Sequence, residues 1–301
     1  MTPLIIDCDP GVDDALALLV ALGSEELDLL AVTTVAGNRP VDVTYRNASR
    51  LLTLAGRPDI PVYRGCERPM AHVEARSNLF HGADGLGGIA LADGQHQDTT
   101  HAVDALIQLL TTAPVDSITV VAIGPLTNLA MAEVLHPGLL RRSKALLIMG
   151  GAASCPGNVT PHAEFNFHCD ALAAHVVLNA GARVTLFGLD VTSQAVMSHE
   201  WIASMPLQTR CGKAAHDMLV AYASADPLLH DACPVAYLIE PGLFSGETCI
   251  VSVDYRHGAT EGLLTALKRE DAASTARARV LTDLYADRLL ALVRRCLDKL
   301  P

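Results

Sequence analysis

Four carboxylates fall within the opening segment Asp7-Cys8-Asp9-Pro10-Gly11-Val12-Asp13-Asp14. Pro10-Gly11 turns the backbone, and Asp13 and Asp14 follow it into the first turn of a predicted helix. A helix start welcomes one carboxylate through capping and the dipole. A cluster is different, because two anions about 4 Å apart repel by ~4 kcal/mol at an effective dielectric of about 20. A divalent cation relieves that repulsion; capping plus solvated acids is the plainer alternative.

Polar residues recur at comparable points further along. Thr33-Thr34-Val35-Ala36-Gly37-Asn38 ends in an amide, and Ile123-Gly124-Pro125-Leu126-Thr127-Asn128 does the same. Met149-Gly150-Gly151 opens a long loop carrying Asn158, Glu164, Asn166 and Asp170. Near the end of the series stands Leu229-His230-Asp231-Ala232-Cys233-Pro234. The set is rich in oxygen and almost free of Lys and Arg. It suits a hard cation, Ca²⁺ or Mg²⁺, together with a neutral polyhydroxylated ligand. Phosphate would call for Arg, Lys or a glycine cradle.

All but the last of these segments follow a short apolar run, and the runs alternate with helical patterns. Leu4–Ile6 precedes Val12–Leu22, Leu29–Val35 precedes Val41–Ala55, and Ile118–Ala122 precedes Leu126–Leu135. Ala145–Met149 precedes Ala171–Asn179, and Arg183–Phe187 is a further strand. Continuous apolar strands indicate a sheet buried on both faces, and the alternation indicates parallel pairing with right-handed crossovers. The prediction is an α/β chain: one doubly wound domain over 1–301 with a mostly parallel central sheet. Ligands of such sheets sit beyond the carboxyl ends of the strands, where the polar segments fall. Thr282–Leu300 reads as an amphipathic surface helix.

Composition agrees. The chain has 301 residues, half of them hydrophobic and 18% charged, which excludes a disordered protein. A formal charge of −11 argues against nucleic acid or an anionic membrane as partner. The longest clean apolar run, Ala15–Leu22, is far short of the ~20 residues a bilayer needs. The N-terminal residues have no basic segment of a secretory signal. Eight cysteines without C-x-x-C spacing read as reduced thiols, several of them core residues, in a cytoplasmic protein.

Taken in order from residue 4 to about 240, D-C-D-P-G-x-D-D, V-A-G-N, G-P-L-T-N, M-G-G, E-F-N and H-D-x-C resemble the inosine–uridine-type nucleoside hydrolases. The resemblance implies a Ca²⁺ ion held by Asp9, Asp14 through both oxygens, Asp231 and the carbonyl of Ile123. It implies that the ion also holds the nucleophilic water, with Asp9 as general base. Asp13 and Asn166 match residues that bind the 2′ and 3′ hydroxyls, with Asn38 close by. Asn158 and Glu164 match residues on the 5′ hydroxyl, and Met149 lines the sugar pocket. His230 matches a histidine that protonates or positions the leaving base, His81 one that lines the base pocket, and Asp7 a support behind the metal. The implied partner is a ribonucleoside, and the implied assembly a homodimer or homotetramer.

Three further readings bear on the site. The segment from Met205 to His230 carries one aromatic, Tyr222, where relatives that stack purines present tyrosines or tryptophans; Trp201 lies earlier. Pyrimidine and purine ribonucleosides therefore both stay open as substrates. Asn128 reads as a helix-start residue, and Gly85-x-Gly87-x-x-Ala90 follows no strand, unlike a dinucleotide fingerprint. A phosphohydrolase with an aspartyl nucleophile is the competing enzyme class, but Gly11 stands where such enzymes carry Thr or Val. A non-catalytic nucleoside sensor on the same scaffold is the competing binding module, against which the retention of every matched residue speaks.

Overall fold

A computed structural model describes residues 1–78, 80–94, 99–268 and 276–301. Among them are nine strands: β1 (Thr2–Cys8), β2 (Leu27–Thr34), β3 (Val62–Arg64), β4 (Thr119–Ala122), β5 (Ala145–Met149), β6 (Val184–Phe187), β7 (Phe244–Val253), β8 (Leu264–Leu267) and β9 (Arg277–Leu284). They form one sheet in the order β3-β2-β1-β4-β5-β6-β9-β7-β8. Pairing is parallel from β3 through β9, and β7 runs antiparallel to both β9 and β8.

The two faces follow from the period of the strand. Leu4, Ile6 and Cys8 enter one apolar cluster, with the helices Val12–Leu22, Arg210–Tyr222, Ala232–Ile239 and Ala286–Leu297. Ile5 enters the other, with the helices Ala102–Thr112, Thr127–Leu135 and Ala171–Leu178. Both faces are dry, which is why the parallel strands read as unbroken apolar runs. The helix Val12–Leu22 is buried along nearly its whole length, so its apolar run serves the core.

The predicted doubly wound domain is the observed one. The strand order reverses at β1, with β2 and then β3 on one side and β4, β5 and β6 on the other. The carboxylate segment leaves β1 at that reversal, the position at which open α/β sheets bind ligands. The C-terminal reading needs correction. Thr282–Leu284 belong to β9, where Asp283 and Leu284 pair with Ser245 and Phe244 of β7, and the amphipathic helix is Ala286–Leu297. No helix among the described residues is long and apolar enough to cross a membrane.

Ile6 is wholly buried at the centre of β1. Ile6→Ala removes apolar contact and leaves a cavity, so it is expected to lower unfolding free energy by about 2–5 kcal/mol. Urea denaturation with an unchanged m-value is the check.

Candidate active site

Parallel register assembles the site from the strand ends. In β1, Asp7 lies beside Thr33 of β2 and Ala122 of β4. Its Oδ2 accepts hydrogen bonds from Thr33 Oγ1 at 2.5 Å and Asn128 Nδ2 at 2.8 Å. Asp7 is fully buried, on the face opposite Cys8, and burial pushes its carboxyl up to about 7 despite those two donors. Asn128 also donates to the Thr34 carbonyl at 2.9 Å and accepts from Cys66 N–H at 2.9 Å. It stands in the first turn of its helix, as the sequence suggests, but its side chain ties the ends of β1 and β2 to the segment after β3.

Beyond β1, Asp14 turns back on the loop. Its Oδ1 accepts from Asp9 N–H and its Oδ2 from Gly11 N–H, each at 3.0 Å. A carboxylate at the third helical position reaching back to the residue that caps the helix is half of a capping box. Asn38 Nδ2 adds a third donor to Asp14 at 3.1 Å, while the Asn38 backbone N–H donates to Asp9 Oδ2 at 2.6 Å. Two glycines make room for Asp9: a Cβ on Gly37 would lie 2.1 Å from its Oδ2, and one on Gly124 would lie 2.6 Å from its Oδ1. Asp9 Oδ1 is buried and has no hydrogen-bond partner.

Oxygens of Asp13, Asp14 and Asp231 all lie within 4.8 Å of one another. Burial, and then the neighbouring carboxylates, raise the whole group: Asp14 to about 6, and Asp9 and Asp231 well above the usual range. Asp13 and Asp231 thus lie close together as buried acids with no cationic Lys or Arg lining the cavity beside them. An all-oxygen donor set of buried carboxylates, with an orphaned Asp9 oxygen beside it, fits a hard cation. Of the predicted ligands, Asp14 and Asp231 lie in this trio with Asp13, and Asp9 is held by the Asn38 backbone N–H.

A narrow cavity of about 50 Å³ opens over this group. Asp13, Asn38, His81, Ile123, Met149, Asn158, Glu164, Asn166, His230 and Asp231 all line it. Asp9 and Asp14 lie behind that lining. Asn166 Nδ2 donates to the Ile123 carbonyl at 2.9 Å and to the Met149 carbonyl at 3.2 Å, joining the ends of β4 and β5. Glu164 caps the short helix Phe165–Cys169, accepting from Asn166 and Phe167 N–H and also from Gly151 N–H. Asn158 Oδ1 accepts from Phe165 N–H at 3.0 Å. The lining includes no Lys or Arg among the described residues, which suits a neutral ligand and leaves a phosphate without a partner.

Two histidines line the pocket. His81 Nδ1 accepts from Val12 N–H at 3.1 Å, and burial pushes the ring down to about 4 against the pull of Asp14. His81 is therefore neutral with its proton on Nε2, and its 3.7 Å approach to Asp13 is not an ion pair. Its ring stacks on Tyr222 at 4.9 Å between centroids. His230 behaves in the opposite way. Burial works against its charge, yet Asp226, Asp13 and Glu164 raise its pKa overall. Nδ1 meets Thr192 Oγ1 at 2.8 Å and Nε2 meets Asp226 Oδ2 at 3.3 Å, so each ring nitrogen has an oxygen partner.

Sequence reasoning missed Thr192, Asp226 and Asn78, whose Nδ2 donates to Asn38 Oδ1 at 2.8 Å. Asp226, an acid four residues before His230, was the one with a readable signal. Trp201 lies elsewhere, donating its Nε1–H to Leu290 O.

The architecture is that of nucleoside hydrolases. A solved structure of a purine-preferring ribonucleoside hydrolase from Gardnerella vaginalis superimposes with a TM-score of 0.92 at 30% identity over 99% of both chains. The pyrimidine-specific ribonucleoside hydrolase RihA of Shewanella woodyi is 37% identical over 98% of each chain. The non-specific ribonucleoside hydrolase RihC of Salmonella newport is 38% identical over 86% of this chain and 85% of its own. A model of the inosine-uridine preferring nucleoside hydrolase family matches residues 4–291, and the chain belongs to that family. It is an N-ribosyl hydrolase.

Two substitutions test the construction. Gly37→Ala drives a Cβ into Asp9 and Pro125. It is expected to lower kcat by about 10²-fold through misplacement of the carboxylate, with folding retained by circular dichroism. Asn128→Ala strands Cys66 N–H, the Thr34 carbonyl and Asp7, and is expected to cost roughly 3 kcal/mol in chemical denaturation.

Proposed function

We propose that the protein hydrolyses the N-glycosidic bond of pyrimidine and purine ribonucleosides, in the presence of Ca²⁺, to ribose and free base. One observation carries this: buried carboxylates with an orphaned Asp9 oxygen converge beneath a cavity lined by amides and acids and free of Lys and Arg. Asp9, Asp14, Asp231 and the Ile123 carbonyl would hold the cation. When bound, the cation supplies positive charge that lowers the pKa of an attacking water.

The remaining steps belong to side chains of this chain. Asp9 accepts the proton of that water at Oδ1, the oxygen no donor occupies. Asp13 and Asn166, with Asn38 nearby, bind the 2′ and 3′ hydroxyls, and Asn158 and Glu164 the 5′ hydroxyl. Met149 lines the ribose. Glycosidic cleavage develops positive charge on the sugar, which the surrounding carboxylates stabilise. His230, held between Thr192 and Asp226, protonates or orients the leaving base, and His81 on Tyr222 offers its Nε2–H on the base side. Attack from the face opposite the base inverts C1′. The family resemblance also supports a cytoplasmic homodimer or homotetramer.

A hydrolysis panel tests the reading. Uridine, cytidine and inosine with Ca²⁺ are expected to release base, and exhaustive chelation to abolish release. Asp9→Asn should lower kcat by about 10²–10⁴-fold. The 2′-deoxynucleosides should fall roughly 5- to 150-fold in kcat/KM, because a buried donor or acceptor left unmatched costs about 1–3 kcal/mol. Full turnover by chelated protein would overturn the proposal, and tight nucleoside binding without base release would mark a sensor instead.

A further inference from the structure

A second group of metal-binding side chains lies beside the short helix Phe165–Cys169, outside the cavity. His72 comes from the segment that leads to Asn78; His257 and Glu261 come from the turn that precedes β8. One ligand atom from each lies within 4.8 Å of the other two. His72 Nε2 is 2.5 Å from Glu261 Oε1, and His257 Nδ1 is 3.3 Å from Glu261 Oε2. Two imidazole nitrogens and one carboxylate are the donors of a zinc-type site, quite unlike the all-oxygen group below β1. At bond lengths of about 2.1 Å, tetrahedral donors stand about 3.4 Å apart. The His257–Glu261 pair already has that spacing, and the His72–Glu261 pair would open by about 1 Å.

Access and charge both bear on the site. The Glu261 side chain is 5% exposed and His257 is 83% exposed, so the carboxylate is sequestered while one ligand stands in solvent. Arg76 is the competitor. Its Nη2 donates to Glu261 Oε2 at 3.0 Å and approaches His72 Nε2 at 3.3 Å, and its Nη1 donates to the His168 carbonyl. The guanidinium neutralises the buried carboxylate in the metal-free protein. Its side chain is 27% exposed and has solvent to swing into.

We propose that His72, His257 and Glu261 bind a divalent transition-metal cation of the zinc class, with Arg76 as the internal charge it must displace. His257 would stand at the solvent side of the site. The site braces the segment from His72 to Asn78, and Asn78 holds Asn38 at the wall of the active cavity. The proposal is independent of the reaction assigned to that cavity.

The test uses Zn²⁺ alone as probe on the full chain, in excess Ca²⁺ so that the all-oxygen group is supplied with its own cation. Calorimetry is expected to give one Zn²⁺ per chain, and thermal unfolding a rise of a few °C. His257→Ala, a surface change that leaves folding intact, should weaken binding by about tenfold or more. Arg76→Ala should tighten it, because the competing charge is gone. Mg²⁺ should give neither heat nor shift. No Zn²⁺ uptake, or uptake unchanged in His257→Ala as thiols or the aspartate group would give, overturns the proposal.

Discussion

Repulsion among buried carboxylates is the constraint around which this protein is organised. Asp9, Asp13, Asp14 and Asp231 lie within a few residues or a few ångströms of one another, all shielded from water. Opposite charge would make such a group unremarkable, but none of the cavity-lining residues is a Lys or an Arg. The chain instead supplies neutral donors: Asn38 and the N–H groups of Asp9 and Gly11. Each donor comes from the loop after β1 or β2, so the electrostatics require those strands to end together. The sheet satisfies that requirement by parallel pairing in register.

The same constraint reaches back into the core. Asp7 sits one strand position before Cys8 and faces the other layer, where Thr33 and Asn128 meet it. Asn128 in turn fixes Thr34 and Cys66, so the polar framework continues behind the cavity as a buried ladder across β1 and β2. Removing a rung leaves several unmatched groups at once, which makes such networks rigid when complete and costly when broken.

Much of this was legible in the sequence, for a physical reason. β1, β2, β4, β5 and β6 are buried on both faces, so their residues had to be continuously apolar, and the polar segments after them had to mark the ligand end. The antiparallel extension was harder to read. β7 mixes buried and exposed residues without a regular period, and β9 exposes Arg277, Arg279 and Asp283, a pattern that merges with the amphipathic helix after it. At the site, residues within a local motif were readable, while partners brought by tertiary structure were not. Thr192 on His230 and Asn78 on Asn38 are separated from their partners by 38 and 40 positions, and no short pattern encodes either pairing.

The cavity walls have two different origins. Asp13, Asn38, Ile123 and Met149 lie at or just beyond the ends of β1, β2, β4 and β5, whereas Phe80, His81, Val159, Tyr222 and Asp226 come from loops and a helix end outside the sheet. Substitutions in the second group leave the strand register untouched, so that wall is free to drift in shape while the reacting end stays fixed. A wall that can change without disturbing the sheet lets one architecture present differently shaped cavities, and similar proteins carry pyrimidine-specific, purine-preferring and non-specific names.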